Sequence, residues 1–145
     1  MQRQSTVIKA TVIALLCFST TIWGDDMTDN EAIESTIFSY FDGFRTQNRE
    51  LLEKAFVVDS GHMKGYLKDD DNNYQVSSRP MNEVIEDWLS RDTPPEMSGK
   101  IIKIDVYNEV AATALFDFNG IFIDAFHLAK IDGTWKIINK FYIGQ

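Results

Sequence analysis

Hydrophobic positions recur along this chain with two different periods, and the change of period divides it. Behind Thr28-Asp29-Asn30-Glu31, the positions Ala32, Ile33, Thr36, Ile37, Tyr40, Phe41 and Phe44 fall at three- and four-residue steps, which places them on one face of an α-helix. Thr28 and Glu31 have the spacing of a capping box, so the helix is predicted to start there. Asn48 is predicted to cap a second, shorter helix with Leu51, Leu52, Ala55 and Phe56 inward, ended by Asp59-Ser60-Gly61. His62 to Leu67 reads as a short strand and Asp69 to Asn73 as a polar turn. Ser78 and Pro80 are read as opening a third helix, with Met81, Val84, Ile85, Trp88 and Leu89 inward. Asp92-Thr93-Pro94-Pro95 stops it, because proline cannot continue a helix and restricts the residue before it.

From Gly99 the period is two. Four strands are predicted, at about 99–107, 109–118, 121–131 and 134–142, joined at Asn108-Glu109, Asn119-Gly120 and Asp132-Gly133. The last two joins are strong signals for two-residue hairpins. Tight turns fix register, and register sorts the side chains onto two faces. Two-residue turns throughout set Leu115 opposite Asp124, Phe126 opposite Asn139 and Asp124 opposite Phe141. One face then carries Ile102, Ile104, Val106, Thr113, Leu115, Phe122, Asp124, Phe126, Leu128, Trp135, Ile137, Asn139 and Phe141, and is predicted to meet the helices. The other mixes Lys103, Asp105, His127, Lys136 and Lys140 with the small residues Ala112, Ala114, Ala125 and Ala129. An open face with an apolar centre and a polar rim is a common dimer surface. The fold class is α+β, three N-terminal helices packed on one face of a curved antiparallel sheet.

Charge and composition narrow the function. Hydrophobic residues make up 44% and charged residues 25%, which excludes a disordered chain. The formal net charge is −8, and residues 25–145 hold 12 of the 14 basic residues against all 22 acidic ones. Such a surface repels nucleic acid and anionic lipid. Arg3 and Lys9, the uncharged run Thr11 to Ile22, and Gly24 before Asp25-Asp26 have the layout of a signal peptide over residues 1–24. The mature domain is then 25–145, periplasmic or secreted, with no membrane span. The one cysteine, Cys17, lies in the leader, so the mature domain would have neither a disulfide nor a thiolate metal site.

The order of three helices and then a four-strand sheet resembles the nuclear transport factor 2-like superfamily. Within it, the stretch from Phe122-Ile123-Asp124 through Asp132-Gly133-Thr134-Trp135 to Phe141 is similar to the closing motif of the putative lumazine-binding branch. Tyr40-Phe41-Asp42-Gly43 and Gly61-His62-Met63-Lys64-Gly65 fit the same pattern. The resemblance implies a cone-shaped fold with a cavity between helices and sheet, and a homodimer through the open sheet face. Enzymes and non-enzymes share this fold, so function must be read from the site.

Asp124 is the foremost site candidate. Alternation sets it on the apolar face, where a carboxylate is costly unless paired or protonated. It is read as an anchor for a polar ligand group or as a general acid or base, with the hydroxyl of Tyr40 as its partner. Trp88, Phe122, Phe126, Trp135 and Asn139 complete the predicted ligand-binding set. Asp59 with His62 has the residue types of an acid–base pair, while His127 is assigned to the open face. Two histidines on different elements do not make a metal site, and Asp69-Asp70-Asp71-Asn72-Asn73 lacks the glycine and downstream glutamate of a calcium loop. No cofactor is indicated. Three functions fit: an exported protein binding a small, largely apolar molecule; a lyase, isomerase or hydrolase using Asp124; and a non-catalytic protein-interaction domain.

Overall fold

The structure is a computed structural model that describes residues 27–94 and 96–145. Residues 1–24, expected to be a leader and containing Cys17, and Pro95 of the expected helix-stopping turn lie outside the described residues. The chain forms helix α1 (Asp29–Thr46), helix α2 (Arg49–Ala55), strands β1 (His62–Lys68) and β2 (Tyr74–Pro80), helix α3 (Met81–Leu89), and strands β3 (Gly99–Tyr107), β4 (Ala111–Phe118), β5 (Phe122–Ile131) and β6 (Thr134–Gly144). The strands make one six-stranded sheet in the order β2-β1-β6-β5-β4-β3. All pairings are antiparallel except that of β1 with β6. The helices lie on one face, so the architecture is α+β.

The helix starts are where the sequence puts them. The Thr28 hydroxyl accepts from the Glu31 amide, and the Glu31 carboxylate accepts from the Thr28 amide, closing the capping box. Asn48 accepts from the Leu51 amide at the start of α2. The third helix is a correction. Ser78 does not open it but lies within β2, an edge strand the sequence does not announce; Pro80 ends that strand and is the N-cap of the helix, without a side-chain capping bond, and the helix begins at Met81. Its inward residues Met81, Val84, Ile85 and Trp88 are buried as expected.

The sheet register is a second correction, with two causes besides a bulge in β3 that turns Ile102, expected on the inner face, outward. At Asn119-Gly120 both residues have positive φ, but Phe118 pairs with Phe122, and Ile121 is an extra residue between turn and strand. Val110 is the same kind of extra residue after Asn108-Glu109, since Tyr107 pairs with Ala111. The β4 frame therefore moves by one on both sides. Ala112, Ala114, Phe116 and Phe118 enter the core, while Thr113 and Leu115 turn to the open face. The Asp132-Gly133 hairpin has the expected register, with Lys130 opposite Trp135 and Leu128 opposite Ile137. A bulge then inserts Ile138, so that His127 faces Asn139 and Asp124 faces Tyr142. Beyond it Lys140 and Tyr142 point inward, and Asn139 and Phe141 point outward, the reverse of the predicted alternation.

The core joins α1, α2 and α3 to this inner face through Ile33, Ile37, Leu52, Phe56, Ile85, Phe116, Phe126 and Ile137, all at most 1% exposed. At the hairpin end of β5 and β6, Asp29 Oδ1 accepts from Lys130 Nζ at 2.7 Å and from Trp135 Nε1 at 2.9 Å, fixing the start of α1 to the sheet. Among the described residues no helix is long and apolar enough to cross a membrane.

Candidate functional site

At the other end of β5 a cavity of about 270 Å³ opens between the helices and the sheet. Its walls are aromatic: Tyr40 and Phe44 from α1, Trp88 from α3, Phe118, Phe122 and Tyr142 from the sheet. Tyr40, Phe44, Trp88 and Phe118 form one packed group, and Phe122 and Tyr142 pair edge-on at 5.5 Å. Tyr40 stacks on Phe118 with centroids 5.9 Å apart, and Phe44 meets Trp88 and Phe118 edge-on at 5.7 and 5.3 Å. Met63 and Leu67 of β1 close the side.

The buried end of the cavity holds three polar groups. Asp124 is 0% exposed and Lys140 is 4% exposed. Lys140 Nζ lies 2.5 Å from Asp124 Oδ1, and the Tyr40 hydroxyl donates to Asp124 Oδ2 at 3.0 Å. Lys140 Nζ also sits 4.7 Å from the centre of the Tyr142 ring, and 5.6 Å from that of Tyr40, on their electron-rich faces. Burial raises the Asp124 carboxyl above its usual range, against the opposing pull of Lys140 and Tyr40. Burial likewise lowers the Lys140 ammonium, with Asp124 opposing. The Tyr40 hydroxyl is pushed well up, by burial first and by the neighbouring Asp124 charge second. The three groups satisfy one another.

The exposed end carries a second charged group. Arg79 Nη1 and Arg91 Nη2 converge on Asp87 Oδ2 at 3.0 and 2.5 Å. The hydrogen bond from Arg79, followed by that from Arg91, holds the Asp87 carboxyl below its ordinary range against partial burial. All three residues line the cavity.

Of the residues expected at the site, Tyr40, Trp88, Phe122 and Asp124 line the cavity together. Three others do not. Phe126 is core beneath it, packed against the Tyr40 ring at 5.7 Å. Trp135 is at the far end, bonded to Asp29. Asn139 is on the open face beside His127, because of the bulge at Ile138. Asp59 and His62 are both exposed, and His62 Nδ1 meets the Ser60 carbonyl at 3.2 Å rather than Asp59. Asp69 folds its own turn, accepting from the Asp71 and Asn73 amides. Lys140, expected on the open face, is instead the buried partner of Asp124. Its one signal was the demand of a buried carboxylate for a cation. Arg79, Asp87 and Arg91 had none.

The sequence profile described as putative lumazine-binding matches residues 28–143, which includes every residue of this cavity. The chain belongs to the putative lumazine-binding family. Solved structures agree on its fold. An NTF2-like protein of unknown function from Shewanella baltica OS155 is 26% identical with a TM-score of 0.67, the match covering 80% of this chain and 93% of that one. Another from Methylobacillus flagellatus KT is 24% identical at the same TM-score, covering 81% and 92%. A ketosteroid isomerase-like protein from Erwinia carotovora atroseptica is 15% identical with a TM-score of 0.52, covering 78% and 93%. No curated protein matches the chain. This member of the family thus has the NTF2-like fold, with Asp124 and Lys140 joined at the base of its cavity.

Proposed function

We propose that this protein is exported and binds a small, largely apolar molecule in the cavity without transforming it. The observation that carries this reading is the state of Asp124. Its two oxygens are engaged by Lys140 and Tyr40, so the polar base beneath the aromatic walls of the cavity is already satisfied. Few polar groups in an apolar cleft fit a binding pocket, and the family description points the same way. The layout of residues 1–24 supports export, and half-exposed Leu115 and Phe141 on the open face support a homodimer.

The test is native mass spectrometry of the protein taken from the envelope of its host without refolding. A dimer of chains beginning near residue 25, carrying a reproducible added mass, is the expected result. A full-length chain would defeat export, a monomer would defeat the dimer, and an empty protein would defeat the binding reading.

A second reading has one observation in its favour. Burial raises the Asp124 carboxyl, as a general acid or base near neutral pH requires. It demands that some substrate be turned over with a pH profile set by Asp124. Turnover by Asp124→Asn equal to that of the parent would end it.

A further inference from the structure

The two ends of the cavity differ in charge. At the base, one ammonium meets one carboxylate, both almost wholly buried. At the mouth, the guanidiniums of Arg79 and Arg91 share the single carboxylate of Asp87, through one of its oxygens. Arg79 spends its other terminal nitrogen on a long 3.4 Å contact to the Glu83 carbonyl, and the Arg91 side chain is 60% exposed. The mouth therefore keeps one uncompensated positive charge and guanidinium donors free to turn, on a chain whose net charge is −8. Between mouth and base the walls are Phe44, Trp88, Phe118, Phe122 and Tyr142, whose polar side-chain groups are the Trp88 indole N–H and the Tyr142 hydroxyl.

Resting on the binding reading above, we propose that the ligand is an amphipathic anion: a ring-sized apolar body lying against Trp88 and Phe118, with one carboxylate-like group held at the mouth by Arg79 and Arg91. The base cannot take the anion, because Lys140 is already neutralised by Asp124 and a second negative charge there would face that carboxylate. A cation at the mouth would meet two guanidiniums. A neutral ligand would leave the surplus charge unused. Guanidinium geometry suits a planar two-oxygen acceptor, and partial enclosure lowers the screening of the contact by water.

The experiment compares three ligands of nearly one shape, 2-naphthoate, neutral 2-naphthamide and cationic 2-naphthylmethylamine, titrated by calorimetry into the purified protein at low salt. Naphthoate is expected to bind about ten-fold more tightly than naphthamide, the scale of one charge-assisted contact, and the amine most weakly. The margin shrinks as salt is added. Arg79→Gln with Arg91→Gln removes the margin by weakening naphthoate far more than naphthamide, and an unchanged circular dichroism spectrum and melting transition show that the variant is folded. Asp87→Asn, which frees both guanidiniums, widens it. Equal affinity for acid and amide, preference for the amine, or a margin that survives the double substitution overturns the inference while leaving the binding reading intact. Binding of none of the three overturns it as well, and a protein that also leaves its host without added mass takes the underlying reading with it.

Discussion

Lys140 approaches Asp124 to 2.5 Å across β6 and β5 with both side chains buried, and each depends on the other for its charge. Replacing one partner of such a pair leaves a buried, uncompensated ion, at a cost of about 3–5 kcal/mol. Asp124→Asn is expected to lose that much stability in urea titrations, and adding Lys140→Met to recover most of it. A single variant as stable as the parent would show that the pair is not held in the folded state.

The same variant has a defined pH dependence. Lys140 has a folded-state pKa below its unfolded value near 10.4. Between the two values the unfolded chain binds more protons, so stability rises with pH there. Without Asp124 the folded-state value drops further and the rising window widens downward. Through Lys140 the deficit of Asp124→Asn therefore shrinks as pH rises toward the unfolded lysine value of about 10.4. Asp124 adds to the same trend: its folded-state pKa is raised, so its contribution to the parent's stability declines as pH rises above about 4, which narrows the deficit further. A deficit constant across that range would contradict both assignments.

Tyr40→Phe keeps the ring inside its aromatic cluster and removes one hydrogen bond to Asp124. A stability loss of about 1–2 kcal/mol is expected in thermal or urea unfolding. A neutral outcome would mean that water replaces the hydroxyl.

Gly65 lies against the Tyr142 ring, where an added Cβ would come within 2.5 Å of a ring carbon. Gly65→Ala forces that ring to move, and Tyr142 both lines the cavity and covers Lys140. The expected outcome is a loss of about 1–3 kcal/mol together with weaker naphthamide binding. Unchanged binding would free Tyr142 from any part in shaping the cavity.

On the open face, Leu115, Ala125 and Phe141 sit side by side across β4, β5 and β6. If this row meets a second copy, Phe141→Glu converts the dimer to monomer in sedimentation velocity and leaves the fold intact. A dimer that survives the substitution would place the contact elsewhere.

What the sequence disclosed depended on whether one local pattern decided the outcome. Thr28 with Glu31, and Asn48 before its leucines, specify their helices through short-range hydrogen bonds, and both are legible. Asp132-Gly133 set its own register. The β2 strand was hidden because Tyr74-Gln75-Val76-Ser77-Ser78-Arg79 buries neither face well at the sheet edge, so no period of two stands out. The frame of β6 was hidden for a different reason. Ile137-Ile138-Asn139-Lys140-Phe141-Tyr142 pairs polar with polar and aromatic with aromatic, so either alternation looks acceptable. What decides it is the carboxylate on the neighbouring strand, which gains a cation in one frame and an amide in the other. Simple alternation puts Asp124 on the inner face, where it lies, and Lys140 on the outer face, where it does not.

The two hydrogen bonds from Lys130 and Trp135 to Asp29 also set how the molecule can be displayed. They pin the head of α1 at the end of the sheet away from the cavity, whereas Gln145 donates to the Ile121 carbonyl beside the cavity rim. A fusion or surface attachment ahead of Met27 would thus hold the protein with its opening facing outward. The same attachment after Gln145 would crowd the entrance.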